Sequence, residues 1–340
     1  MKIYLLPEGG TFYKANLHCH STLSDGHWTV EQIKENYKAH GYSIVAYTDH
    51  DVFLTHNDLA DEDFLPLNGY ELAFGESKVW TESPKTCHTC FIALDKDRTA
   101  QNIYYNSKHF EANKDKVDIP VDKERIHREY SPEFISKIMT EGRRDGFFVT
   151  YNHPVWSLEA GGEYMGYHGM HAMEIVNYSS YASGHEERNG IIYDNMLSAE
   201  KGLYCVATDD NHDKYPIGHP KCDSFGGFTM IKAEKLEYSA VTKALLDGSF
   251  YASEGPEIRE LYFEDGQIHI KTSDAVRIAM IAESRYNQRE TPERIGETIN
   301  EAVFAIDKKV GSYVRFVIRD REGKEAYTNA YSLDSLPIEQ

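Results

Sequence analysis

The stretch NLHCHSTLSDGH, residues 16–27, holds two histidines two positions apart and then an acidic residue. In an extended segment His18 and His20 point to the same side of the chain. Two imidazoles on one face suit a metal ion better than they suit an apolar core. The stretch therefore predicts a metal site at the end of a strand, with Asp25 reaching it from the loop that follows.

Further imidazoles and carboxylates lie in or just after other apolar, strand-like runs. They are His50 after SIVAYT, Glu71 in GYEL, His88 near the start of CHTCFIAL, His153 at the end of FFVTYNH, and Asp210 and His212 at the end of GLYCVATDDNH. In an α/β barrel the carboxyl ends of the strands converge on one mouth, where active sites lie. Imidazole and carboxylate ligands without thiolate favour zinc, manganese, iron or cobalt over calcium.

Helical patterns alternate with these runs over the first three quarters of the chain. TVEQIKENYKAHG carries a capping box of Thr29 and Gln32, and SPEFISKIMTEGRRDG begins with a Ser131 cap and Pro132. IIYDNMLSAEKG and LEYSAVTKALLDG are further helix candidates. Strand–helix alternation predicts an α/β fold with a parallel sheet, closed or nearly closed into a barrel.

Two segments depart from this alternation. Residues 95–130 are polar, and we interpret them as an insertion over one end of the barrel, either a lid or a solvated loop. After Ser253 the residues alternate without intervening helices, with turn signals at Glu264-Asp265-Gly266 and Arg321-Glu322-Gly323. We therefore predict two domains, a barrel over residues 1–252 and a small antiparallel β-sandwich over residues 253–340.

Composition narrows the class of protein. The 340 residues carry a formal net charge of −19, which disfavours a nucleic-acid polymer as partner. No run approaches the roughly 20 apolar residues that span a bilayer, so we expect a soluble, cytoplasmic protein with no membrane partner. The five cysteines are odd in number, and CHTC has no second CxxC, so buried thiols are favoured over a zinc ribbon or a redox pair.

Five motifs together resemble the PHP (polymerase and histidinol phosphatase) family of metal-dependent phosphoesterases. They are HCHSTLSDG, TDHD, the Glu of GYEL, NHP and the late TDDNH, and they occur in the family's order over about residues 12–255. The resemblance implies a distorted (β/α)7 barrel, up to three divalent ions (zinc, manganese or iron) and a small phosphorylated substrate. Its usual late Ser-Asp-x-His appears here as residues 209–212, DDNH. Asp25 replaces a frequent histidine of histidinol phosphatases, which disfavours that role.

The resemblance also implies a ligand set. His18, His20, Glu71 and Asp210 would bind one ion, Glu71 would bridge to a second held by His88 and His153, and Asp25, His50 and His212 would bind the third. Asp210, Glu71 and Asp25 would be the catalytic carboxylates, with hydrolysis by attack of a metal-bound hydroxide on phosphorus. The run GSFYASEGPEI, followed by a β region, is similar to family members that have a C-terminal sandwich.

Other residues near these motifs have weaker predictions. Arg188 and Tyr178 are candidates for contacting the substrate, although packing at the rim is an alternative for each. Asp49, Asp51 and Asp209 flank ligands, where they either orient imidazoles or begin solvated loops.

Two further functions fit the same motifs. One is an amidohydrolase-like metal hydrolase acting on an amide or lactone, which would often use a carboxylated lysine at a strand end; no such lysine stands out. The other is a non-catalytic, metal-stabilised scaffold whose sandwich binds a partner or glycan.

Overall fold

A computed structural model describes residues 2–77, 82, 84–199, 202–334 and 336–337. Within these residues the chain forms a large mixed sheet, a smaller antiparallel sheet and seven α-helices. The strands are β1 (Ile3–Tyr4), β2 (Thr11–Asn16), β3 (Ile44–Tyr47), β4 (Leu65–Gly75), β5 (Thr86–Ala93), β6 (Phe147–Asn152), β7 (Ala172–Asn177), β8 (Tyr204–Thr208), β9 (Phe228–Ala233), β10 (Phe250–Ser253), β11 (Ile258–Glu264), β12 (Gln267–Ala275), β13 (Arg277–Ala282), β14 (Gln288–Glu290), β15 (Ile299–Ala305), β16 (Tyr313–Arg319), β17 (Glu325–Thr328) and β18 (Tyr331–Ser332).

The helices include those predicted from their capping signals. They are α1 (Val30–Ala39), α2 (Lys108–Asn113), α3 (Pro132–Arg144), α4 (Gly161–Tyr164), α5 (Tyr178–Ala182), α6 (Gly190–Ala199) and α7 (Tyr238–Leu246). The capping box before α1 is confirmed, with Thr29 and Gln32 bonding each other's backbone. Ser131 caps α3 and Pro132 occupies its first turn, as predicted. The predicted end of α6 falls on residues 200–201, outside the described residues.

The large sheet contains seven neighbouring strands in the order β2-β3-β4-β5-β6-β7-β8. The β2–β3, β3–β4, β6–β7 and β7–β8 pairs are parallel, but β5 is antiparallel to both of its neighbours. The expectation of a parallel sheet is therefore wrong for β5. The physical reason is the connection over residues 76–85, which is too short for the helical crossover that a parallel neighbour needs.

The two ends of this seven-strand run approach each other beyond β2 and β8. Asp210 N donates to His18 O at 2.9 Å, and His20 N donates to Asn211 O at 3.1 Å. Below them, Thr229 of β9 bonds both the N–H and the C=O of Ala207 through its hydroxyl. These bonds bring the chain around His18 against the chain around Asp210.

The last part of the chain, together with β1, forms a separate antiparallel sheet and an antiparallel extension of the large sheet, and the two share an apolar core. One has the order β1-β11-β12-β15, and the other, β14-β13-β16-β17, continues through β10 and β9 into β2. Phe304 of the first and Phe316 of the second pack with ring centroids 5.7 Å apart. Both predicted hairpin turns are confirmed, with Gly266 and Gly323 at positive φ. The domain boundary at residue 252 stays a prediction. Strands from the two sides of this boundary pair with each other, β10 with β17 and β1 with β11.

No helix in the described part of the chain is long and apolar enough to cross a membrane. The predicted insertion over residues 95–130 contains α2 and lies against loops that follow β2 and β3. Asn113 Nδ2 donates to Leu23 O at 2.8 Å, and the buried Gln101 side chain bonds the backbone of Asp51 and Phe53.

Candidate metal centre

The nine predicted ligands gather at one end of the seven-strand run. His18 and His20 follow β2, His50 follows β3, and His153 follows β6, so each imidazole lies at a carboxyl end. Asp210 and His212 follow β8 and Asp25 lies in the loop after His20, as the sequence predicts.

Glu71 and His88 reach the same place by a different route. Glu71 lies within the long β4 and pairs with His50 across an isolated bridge. His88 is the third residue of β5, and because β5 runs antiparallel, the start of this strand lies at the mouth. The reversal of β5 thus places His88 beside Glu71, with Nδ1 and Oε1 3.2 Å apart.

The innermost group consists of His18, His20 and Asp210. The two Nε2 atoms are 3.1 Å apart, and Asp210 Oδ1 lies 3.2 Å from that of His18 and 3.0 Å from that of His20. Glu71 completes this group, with Oε1 3.1 Å from His18 Nε2 and Oε2 3.4 Å from His20 Nε2. Two imidazoles and two carboxylates thus converge on one point.

Glu71 is also the shared member of two neighbouring groups. Its Oε1 lies 3.2 Å from His88 Nδ1 and 3.5 Å from His153 Nε2, and its Oε2 lies 3.0 Å from His50 Nδ1. Asp210 Oδ2 lies 3.8 Å from His153 Nε2, on the side away from the innermost group. A carboxylate placed in this way can bridge two ions.

The outermost group consists of Asp25, His50 and His212, with His20 behind them. Asp25 Oδ1 lies 3.5 Å from His212 Nε2, 3.8 Å from His50 Nε2 and 3.9 Å from His20 Nδ1. The Asp25 side chain is 38% exposed, whereas that of Glu71 is 1% exposed. The outer group is therefore the part of the centre most open to solvent.

These separations fit divalent metal ions. Ligand atoms about 2.0–2.2 Å from a four- or six-coordinate ion lie roughly 3.0–3.5 Å from one another. The distances among His18, His20, Glu71 and Asp210 fall in this range, and the donors of the outer group lie within 4.8 Å of one another. The donor set of imidazole and carboxylate also matches the preference of zinc, manganese and iron.

The carboxylates of the centre are held ionised by their neighbours. Burial by itself would raise the pKa of Glu71, but the imidazoles of His18, His88 and His50 hold it well below its usual range. Burial would also raise the pKa of Asp25, but nearby imidazoles, His50 above all, outweigh it and lower that pKa to about 2. Buried anions of this kind are kept only where cations or metals accompany them.

Glu174, which the sequence analysis missed, supports the centre from below. It is fully buried in β7. Its Oε1 lies 2.7 Å from His18 Nδ1 and accepts from Thr208 Oγ1 at 2.6 Å, while Oε2 accepts from His153 N at 2.9 Å. A carboxylate on Nδ1 keeps the proton there and leaves the Nε2 lone pair of His18 for a metal. Its only signal in the sequence is an acidic residue inside the apolar run HAMEIVNY.

Two acidic residues that flank ligands hold loops rather than imidazoles. Asp49 accepts from the Ser21 N–H and hydroxyl and from the Ser24 hydroxyl, which fixes the loop that carries Asp25. Asp209 accepts from Tyr37 and from the N–H groups of residues 225–227. Burial raises the pKa of Asp209 to about 6 against these donors. Among the described residues, Asp49 and Asp209 thus position loops and are not seen to orient an imidazole.

A cavity opens over the ligands. Besides the ligands, its described lining consists of Trp156, Ser179, Ser180 and Ser183. The two predicted substrate contacts, Arg188 and Tyr178, are not among these lining residues. Arg188 bonds Glu254 through Nε and Nη2 at 3.2 and 2.9 Å. The Tyr178 ring packs against Gly226, where a Cβ would overlap it.

The predicted burial of the CHTC thiols is confirmed. Cys87 and Cys90 are buried and free, and burial raises the pKa of Cys90 to about 11. Cys90 Sγ lies behind the centre, where it takes a hydrogen bond from Asn152 Nδ2 at 3.1 Å. A thiol held protonated there is a packing neighbour of Glu71 and His18.

Comparison with known proteins found likeness at the level of solved structures. No protein-family profile matches the chain. No curated protein matches it either. A two-domain protein from Bacteroides vulgatus ATCC 8482, containing a predicted PHP-like metal-dependent phosphoesterase, is 16% identical over 96% of this chain and 98% of its own, with a TM-score of 0.44.

Two further solved structures are similar over a smaller part of the chain. A candidate metal-dependent phosphoesterase from Bifidobacterium adolescentis ATCC 15703 is 15% identical over 63% of this chain and 91% of its own, with a TM-score of 0.37. An amidohydrolase from Chromobacterium violaceum, solved with bound sulfate and no metal, is 16% identical over 60% of this chain and 90% of its own, also at 0.37. At these values the assignment of the site rests on the chain's own side chains.

Proposed function

We propose that this chain is a metal-dependent phosphoesterase of the PHP type that hydrolyses a small phosphorylated molecule. The observation that carries the proposal is the sharing of Glu71 and Asp210 between adjacent groups of imidazoles, beneath an open cavity. Sites with adjacent divalent ions are a standard arrangement for in-line displacement at phosphorus.

The three groups of ligands would hold one ion each. His18, His20, Glu71 and Asp210 would hold the first, Glu71, His88 and His153 the second, and Asp25, His50 and His212 the third. Bound divalent ions would activate a water and offset the charge of the phosphoryl oxygens. Zinc, manganese and iron all suit these donors. A cytoplasmic location and the absence of a nucleic-acid or membrane partner remain our expectations.

The chain's own residues fix this arrangement. Glu174 keeps the His18 proton on Nδ1, Asp49 holds the loop that presents Asp25, and Glu71 is fixed by Asn152 Nδ2 at 2.9 Å. Trp156 packs edge-on against His88 and His153, with ring centroids 5.4 and 5.0 Å away, which shields their side of the cavity from water. Ser179 offers a hydroxyl donor to an anion in the cavity, whereas the Ser183 hydroxyl donates to Ser180 O at 2.8 Å.

We also propose that the seven strands β2–β8 close as the distorted (β/α)7 barrel that the motifs imply. The two backbone bonds between the segments around His18 and Asp210 support closure at the mouth. These bonds join the ligand-bearing segments that follow β2 and β8, the first and last of the seven strands. The innermost metal group would therefore lie where the barrel closes.

The amidohydrolase alternative has less support from the cavity. The described residues that line the cavity include no lysine to carry a carboxylate. The scaffold alternative predicts a site without a path to solvent, whereas Asp25 and His212 are partly exposed here. We therefore favour phosphoester hydrolysis over both.

Phosphate release from a panel of small esters, with manganese or zinc supplied, tests the proposal. The panel contains a nucleoside monophosphate, a bis-phosphorylated nucleoside, histidinol phosphate, sugar phosphates and phosphotyrosine. We expect turnover by the wild type and its loss in Asp210→Ala, with Asp274→Ala, a change in the sandwich, as matched control. Full activity of Asp210→Ala would contradict the assignment, and hydrolysis of amides or lactones alone would favour the amidohydrolase.

A further inference from the structure

A second cavity adjoins the metal centre on the side of the 95–130 insertion. It has a volume of about 350 Å³ and shares Asp25 and His50 with the metal cavity. The insertion contributes Tyr105, Lys108, His109 and Arg128 to its wall. We name these four residues, with Asp51 opposite them, the insertion subsite.

Arg128 is pre-positioned in this subsite. Its Nη1 donates to Ala73 O and to Tyr105 Oη, each at 2.8 Å, and the guanidinium lies 3.8 Å from the centroid of the Tyr105 ring. These contacts leave Nη2 and Nε without a hydrogen bond to any other residue in the described part of the chain. A planar guanidinium fixed at one edge presents its other donors in the geometry that recognises a carboxylate or phosphate.

The other groups of the wall favour a charged, polar ligand. Lys108 adds a second cation that makes no ion pair with the described residues, and the ring centroid of His109 lies 5.7 Å from that of His50. Asp51 is 3% exposed, and its Oδ1 accepts no hydrogen bond from the residues the structure describes. Because Asp25 is assigned to a metal ion, Lys108 and Arg128 face Asp51 as the one other carboxylate in the described wall of this cavity.

The insertion is held in place by bonds to the loops that carry the ligands. Gln101 Oε1 accepts from Phe53 N at 2.9 Å, and its Nε2 donates to Asp51 O at 2.9 Å. Asn113 Nδ2 bonds the carbonyl of Leu23, two residues before Asp25. The distance between the insertion subsite and the metal centre is thus set by the fold.

We propose that Lys108 and Arg128 bind a second anionic group of the substrate, a carboxylate or a phosphate, while the scissile phosphoester lies over the metal centre. This inference rests on the proposed function and names its substrate class, small phosphoesters that carry a further negative charge. His109 and Tyr105 would line the path between the two groups.

Binding of non-hydrolysable phosphonates to the metal-loaded, full-length protein tests the subsite without turnover. Titration calorimetry would compare methylphosphonate, which has one anionic group, with phosphonoacetate, 3-phosphonopropionate and 4-phosphonobutyrate. Propane-1,3-diphosphonate replaces the carboxylate by a second phosphonate. We expect one chain length to bind at least about tenfold more tightly than methylphosphonate, as one charge-assisted hydrogen bond allows.

Two variants identify the groups responsible. Lys108→Gln removes a cation that makes no ion pair with the residues the structure describes, and Arg128→Gln removes the anchored guanidinium. Each variant should abolish most of the affinity gain of the best ligand with two anionic groups. Each should leave methylphosphonate binding within about twofold of wild type. Arg125→Gln, an exposed change three residues away on the same insertion, is the matched control and should keep the gain.

The outcomes separate the two proposals. Equal affinity for methylphosphonate and all longer ligands, or a gain that survives both variants, would overturn the subsite even if simple phosphoesters are hydrolysed. A gain that Lys108→Gln removes, together with no turnover of any ester by the wild type, would retain the subsite and overturn the phosphoesterase. An equal loss of affinity for methylphosphonate and for the ligands with two anionic groups, in both variants, would also overturn the subsite.

Discussion

Replacing Glu174 by glutamine should weaken metal binding without removing any ligand. The glutamate is fully buried, and its two oxygens face His18 Nδ1, Thr208 Oγ1, His153 N and Asn177 Nδ2 at 2.6–2.9 Å. Glutamine keeps the shape but turns one acceptor oxygen into an N–H donor. If that donor faces His18, the imidazole must move its proton to Nε2, which then has no lone pair for an ion.

The expected loss is about 10–100-fold in metal affinity, the usual effect of removing an outer hydrogen bond to a ligating histidine. This corresponds to roughly 1.4–2.8 kcal/mol. The metal-free protein should also lose about 1–3 kcal/mol of unfolding free energy, because buried donors lose their acceptor.

Competition with a chromophoric chelator would give the zinc affinity, and urea unfolding of the metal-free protein would give the stability. Glu159→Gln is the matched control, because Glu159 is also a buried carboxylate but accepts from Tyr130, Tyr151 and Tyr167 and bonds no imidazole in the described part of the chain. Unchanged zinc affinity in Glu174→Gln, or an equal loss in Glu159→Gln, would refute the role assigned to Glu174.

Three further outcomes are expected. Asp25→Ala should lower the metal content by about one ion per chain, measured by plasma mass spectrometry, while retaining the ions held by the buried Glu71; loss of all ions would contradict separate groups. Gly26→Ala should have the same effect, since a Cβ would overlap the carbonyl oxygen of His20, whereas Gly9→Ala, with open space around it, should not. Burial raises the pKa of Glu159 from 4.5 to about 7, so its stabilising contribution is present below pH 4.5 and is lost as the pH rises through 7. Glu159→Gln should therefore gain roughly 3 kcal/mol relative to wild type between pH 4.5 and 8 in urea unfolding, and a pH-independent difference would contradict it.

Most of the candidate ligands could be proposed from the sequence because they are marked locally. A histidine or acid directly after an apolar run, as at His50 and His153, is unusual enough to be noticed alone, and the strand ends then predict the meeting point. Helix caps such as Ser131 are equally local signals. The part of the centre that lies within one motif was therefore predictable.

The remaining features depend on contacts between distant segments. Alternation of apolar residues defines the faces of β5 but not whether it runs with or against β4, so the reason for the placement of His88 was not predictable. Glu174 receives its role from residues of three other segments. The structure places Arg188 outside the described lining of the metal cavity, where its guanidinium bonds Glu254, and no local sequence signal indicates that contact.

The overall charge of −19 makes the local cations decisive for an anionic substrate. At physiological ionic strength the field of an exposed charge decays over about 8 Å, so distant acidic residues oppose the approach of an anion only weakly. Groups inside the cavities act at shorter range and in a lower dielectric, where one cation counts for more than several at the surface. This favours divalent ions held by the buried ligands, whereas Lys108 and Arg128, which are exposed, would act through direct contact with the anion. The acidic exterior would mainly exclude long polyanions. Selectivity for small substrates, as proposed above, would then follow from the contrast between the outer surface and the cavities.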